Sequence, residues 1–129
     1  MSAGSPHWAA QFVGLPWDPA NQHCWAFCRH VWDRQFDLTV PAIPISGDNL
    51  RATTVGFARD PERALWTEVS DPRDGDAVVM ARGRRDCHVG IWVAPDAVLH
   101  SIRPAAVYTT RNRLRDIGYR ITGIYRRVC

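Results

Sequence analysis

Cys24, His88 and His100 are the residues whose types and spacing point to a specific chemistry. Cys24 opens the apolar run HCWAFCRHVW, which reads as the first turns of a buried helix. Unpaired N–H groups and the helix dipole favour the thiolate at such a position. A nearby imidazole can hold that thiolate and shuttle protons, and a second polar group can orient the imidazole. The three side chains would then be nucleophile, general base and orienting residue of an acyl-transfer hydrolase. Backbone N–H groups at the helix start, that of Cys24 among them, would supply an oxyanion site.

These residues need a helix and a hairpin to position them. Apolar residues recur at helical spacing over 23–36, at Cys24, Phe27, Cys28, Val31 and Trp32, with Phe36 near the end. Arg29, His30, Asp33 and Arg34 form the wet face between them. Two prolines make residues 37–47 an extended connector, and Asp48 is an N-cap candidate for a short helix over 49–58. From residue 65 the period changes to two. Strands are expected at LWTEVS, AVVM, CHVGIWV, AVLHSI, AAVYTT and YRITGIYRRV, with Tyr119, Ile121 and Gly123 on one face of the last and Ile124 and Arg126 on the other. Helices followed by antiparallel strands predict an α+β domain with helices against one sheet face. The 129 residues suit one domain, 11–129, behind a flexible or partner-ordered arm over 1–10.

Alternation along a strand places His88, Gly90 and Trp92 on one face and Val89, Ile91 and Val93 on the other. His88 and His100 are twelve residues apart. An odd turn near Ala94-Pro95, or a bulge, would bring both imidazoles to one face, whereas a four-residue turn would separate them. The helix is expected on that same face, with Gly90 leaving room for it or for substrate. The sulfur should then lie about a hydrogen-bond length from His88. Cys87 points away from the His88 face. Cys28 and Cys129 read as packing and tail residues, His30 as helix surface and His7 as part of the arm.

The net charge is +3, and the arginines concentrate after residue 80. This bias suits a solvated face or an anionic partner such as a cell-wall polymer. No nucleic-acid motif accompanies it. The four cysteines do not space as a disulfide framework, and CxxxC with a CH pair is not a common zinc pattern, so neither metal nor cofactor is expected. No secretory signal and no membrane span are visible.

The ordered blocks FVGLPW, HCWAFCRHVW, GDAVVM, HVGIWV with VLHS, and ITGIYRR resemble the NlpC-type cysteine peptidases, papain-like cell-wall hydrolases, and within them the phage-tail-associated branch. The resemblance covers nearly the whole chain. It implies a papain-like NlpC-type fold with Cys24 as nucleophile, His88 as base and His100 as the orienting residue. It also implies that Trp17, His23 and Trp25 border the substrate or oxyanion position. The implied substrate is a peptidoglycan stem peptide. The implied setting is a virion, with tail-tip proteins as partners; the alternative is a tail-tip assembly subunit with a vestigial site.

Overall fold

Alternation over residues 77–127 and helical spacing over 24–36 each bury one apolar face, and the fold joins those faces. The computed structural model describes residues 7–18, 23–42 and 61–128. The short helix expected over 49–58 and the tail residue Cys129 lie outside them. Helix α1 is Cys24–Phe36. The strands are β1 Trp66–Glu68, β2 Ala77–Arg82, β3 Arg85–Val93, β4 Ala97–Ser101, β5 Ala106–Thr110 and β6 Arg120–Arg127. They form one antiparallel sheet of six strands in the order β1-β6-β2-β3-β4-β5. The protein is therefore α+β, as the element order predicts. One 3-10 helix, Pro61–Leu65, precedes β1, and another, Arg111–Ile117, joins β5 to β6.

Of the arm expected over 1–10, residues 8–10 belong to a further 3-10 helix, Trp8–Phe12, which sends Ala9 and Phe12 into the core. His7 caps it by accepting from the amide of Ala9. The next segment pairs with the sheet through Pro16 and Ala105, and the Trp17 amide donates to Pro104 O at 3.0 Å.

The helix takes the opposite sheet face from the one expected. Cys24, Trp25, Phe27, Cys28, Val31 and Trp32 pack with Val89, Ile91, Val93, Ala97 and Leu99. Val78, Met80, Trp92 and Val98 form the other layer with Leu114 and Ile124. The physical reason is composition: Val89, Ile91 and Val93 are an unbroken apolar row, whereas the alternate row carries His88 and Gly90. Burying the helix against the first row removes more apolar area from water.

Bulges occur on both sides of β2. Met80 pairs with His88 and Ala81 with Asp86, so Cys87 is the extra residue of β3. Val79 pairs with Gly123 and Met80 with Ile121, so Thr122 is the extra residue of β6. The second bulge puts Ile121 and Ile124 in the same layer, where strict alternation predicts opposite faces. An inserted residue reverses the parity of every position beyond it.

Hydrogen bonds at the far end of β2 fix the helix to the sheet. Trp32 Nε1 donates to Gly75 O at 2.8 Å. Buried Asp76 accepts from Arg126 Nε at 2.9 Å and Nη2 at 2.7 Å, and from the amide of Arg73. Arg127 likewise binds buried Glu62, so part of the basic bias is structural. Asp76→Ala strands these donors, and since Arg126 is partly in water the expected loss is about 1–3 kcal/mol. A lower urea midpoint with unchanged m-value checks it.

Candidate active site

The imidazoles of His88 and His100 meet because the turn between their strands, Ala94–Asp96, is three residues long. The predicted odd turn is present. Val93 pairs with Ala97 and Ile91 with Leu99. That register puts His100 opposite Gly90 and diagonal to His88. The rings touch with Nε2 of His88 2.8 Å from Nδ1 of His100. Gly90 makes room for this contact, and not for a helix or substrate. A Cβ there would lie 2.5 Å from Val98 Cγ1 and 2.9 Å from His100 Cβ.

Both rings are buried, His88 5% exposed and His100 fully enclosed. Burial pulls the pKa of His88 well below the usual histidine range, helped by His100 and then by the Arg82 charge. Burial alone lowers His100 to about 4. The pair is therefore neutral at pH 7. His100 Nε2 lies 3.0 Å from the Thr109 hydroxyl. Nδ1 of His88 makes no hydrogen bond among the described residues.

Tyr119 was not singled out by sequence reasoning, yet it lies flat against His88. The ring centroids are 4.5 Å apart at 18°. The Arg82 guanidinium covers the other side of Tyr119 at 4.5 Å and donates to Ile117 O. Gly118 makes the turn that delivers Tyr119: its φ of 91° is left-handed, and it ends the Arg111–Ile117 helix. An aromatic residue before a Gly-punctuated strand was the only available signal.

Cys24 occupies the first position of α1, as expected, and is 7% exposed. Its thiol sits against the amides of Val89, Trp25 and Cys24 itself. The contact with Val89 places the sulfur one peptide unit from His88, on the other side of β3. No hydrogen bond joins the thiol to either imidazole, because sulfur and rings arise from opposite sheet faces. Burial raises the thiol to about 11, and the amides that favour the thiolate offset only part of this rise. The expected acidic thiol is thus a neutral one. Tyr119 is near enough to feel both Cys24 and Cys87.

His23 is the N-cap of α1, and its Nδ1 accepts from the Ala26 amide at 3.3 Å. Burial, then Arg29, lowers its pKa, so the cap is an uncharged acceptor. The Trp25 indole is turned into the core against Trp32 and Trp66, and its N–H donates to Pro41 O. Trp17 is half-buried beneath the Arg103 guanidinium at 4.3 Å. Cys28 is core, donating weakly to Val89 O, and His30 lies edge-on to Phe12. Among the described residues no three His, Cys, Asp or Glu stand close enough to hold a metal ion. Among the described residues no helix is long and apolar enough to cross a membrane.

Neither a protein-family model nor a curated protein sequence matches this chain.

Two consequences of the histidine pair can be measured. The folded pKa of His100, about 4, lies below its ordinary 6.5. The unfolded chain binds the extra proton, so stability is complete above pH 6.5 and lost as pH falls toward 4. His100 alone contributes roughly 3 kcal/mol to that loss. Urea unfolding between pH 7 and pH 4.5 should show it, with a flatter profile in His100→Gln. Gly90→Ala forces Val98 and His100 apart. It is expected to cost about 1–3 kcal/mol and to shift the His100 ring resonances in NMR spectra.

Proposed function

We propose that the chain is a cysteine endopeptidase that cleaves stem-peptide bonds of peptidoglycan, carried by a phage tail tip to the cell wall. The observation that carries this reading is the 2.8 Å His88–His100 pair, one peptide unit from a cysteine at the start of a helix. The sequence blocks shared with NlpC-type peptidases support the papain-like fold and the substrate class.

In the mechanism Cys24 attacks from the neutral thiol. His88 Nε2 is engaged by His100, so Nδ1 receives the thiol proton as sulfur bonds to the scissile carbonyl carbon. Catalytic hydrogen bonds commonly tighten only with substrate bound, which suits a resting sulfur that does not yet contact the ring. The backbone amide of Cys24, at the start of α1, receives the oxyanion. One such donor is worth about 2.7–4 kcal/mol of barrier. The imidazolium then protonates the leaving amine. Nδ1 next takes a proton from water, whose oxygen displaces sulfur from the thioester and restores the thiol.

A second reading is favoured by the thiol itself, which is buried, neutral and without an imidazole hydrogen bond. It makes the chain a tail-tip assembly subunit with a silent site. The two differ in Cys24→Ala. For the enzyme, purified protein digests cell walls and the variant is inert. The kcat/KM profile falls in acid as His88 gains a proton and is flat from pH 7 to 9, because the neutral thiol is the reactant. Equal digestion by both proteins overturns the peptidase reading. Phage bearing Cys24→Ala that infect normally, while a deletion fails to form tails, establish the second.

A further inference from the structure

We propose that Thr109 is a positioning residue whose hydroxyl accepts the Nε2–H of His100 and so keeps a lone pair on Nδ1 of His88, the nitrogen that His100 does not engage. This rests on the reading of Cys24 and His88 as nucleophile and base. Three groups form a single chain. His88 Nε2 lies 2.8 Å from His100 Nδ1, and His100 Nε2 lies 3.0 Å from Thr109 Oγ1. A neutral imidazole has one N–H and one lone pair, so the chain can run only two ways. Running outward, His88 Nε2–H donates to His100, and His100 Nε2–H donates to Thr109. Running inward, the Thr109 hydroxyl donates to His100, His100 Nδ1–H donates to His88, and the remaining proton sits on His88 Nδ1. Only the outward direction leaves a lone pair on His88 Nδ1.

The geometry favours that direction for two reasons. Outward, both rings adopt the Nε2–H tautomer, the intrinsically preferred form of a neutral histidine. Outward, too, the last donor is the hydroxyl of Thr109, which is half-buried and within reach of water. The inward chain ends instead on His88 Nδ1–H, on a ring only 5% exposed, where water is less available than at Thr109.

Thr109 reaches His100 because β4 and β5 pair Val98 with Thr109 and His100 with Val107, which puts Thr109 diagonal to His100 on the same face. Replacing Thr109 by valine keeps the β-branched shape and removes the acceptor. His100 then moves its proton to Nδ1, and His88 must accept there and carry its own proton on Nδ1.

The test reads tautomers directly, by long-range nitrogen–proton NMR of the histidine rings in the full chain at pH 7. Wild type and Thr109→Ser should show Nε2–H on both rings. Thr109→Val should show Nδ1–H on both, with alkylation of Cys24 by iodoacetamide slowed roughly tenfold. Thr109→Cys, a poorer acceptor, should fall between and serves if the valine variant does not fold. A wild-type His88 with its proton on Nδ1, or substitutions that leave both tautomers unchanged, overturns the proposal. The tautomers are read without substrate. If they move as stated while Cys24→Ala digests walls as well as wild type, the peptidase reading fails and the role of Thr109 in orienting the pair stands.

Discussion

Two buried imidazoles in hydrogen-bond contact share one proton between facing nitrogens, so at least one ring must be neutral. Most of the surrounding structure follows from that constraint. Neutrality comes first from burial, which disfavours charge on both rings. The contact needs a hairpin whose odd turn sets both side chains on one face, and a gap at Gly90 where any Cβ would push His100 away. It also needs a cover that does not supply a counter-charge. Tyr119 provides this as a flat ring, and the Arg82 charge beyond it is positive and further favours the uncharged imidazole.

The thiol is governed by a competition between the same two forces. At the helix start, amides of Cys24 and Trp25 stabilise a negative sulfur, and the Val89 amide adds to them. Burial acts the other way and wins, leaving the thiol near 11. The choice of cap matters in this balance. A carboxylate in place of His23 would serve the helix dipole better, but its charge beside the sulfur would oppose the thiolate further. An uncharged imidazole satisfies the Ala26 amide without adding that repulsion. A buried thiolate–imidazolium pair would be costly to desolvate, and burial leaves both groups neutral.

What the sequence disclosed and what it hid divide along range of interaction. Helix α1 and the strands show in local periodicity, and the twelve-residue interval between His88 and His100 carries parity information that one odd turn makes concrete. The face chosen by α1 was not legible, because periodicity says that a strand has two faces and not which partner takes each. Alternation along β6 failed at Thr122 for a related reason: a bulge depends on the register of three strands. Tyr119 and Thr109 escaped notice because stacking and diagonal cross-strand contacts are tertiary. Neither residue type is unusual in or beside a strand. The indole of Trp25 went to the core, where Trp32 and Trp66 offered more apolar contact than a cleft could.

The strand β3 resolves a conflict by using its two faces differently. Val89, Ile91 and Val93 must be apolar to hold α1, and His88 and Gly90 must be otherwise to form the imidazole pair. A strand that slipped by one residue would exchange these duties and destroy both. The far end of the sheet resists that slip, with Trp32 bonded to Gly75 and Asp76 clamped by Arg126. At the near end the extra residue, Cys87, falls beside His88, and bulges increase local twist. Regular pairing therefore fixes the helix against the sheet, while irregular pairing is confined to the end that carries the extra residues Cys87 and Thr122.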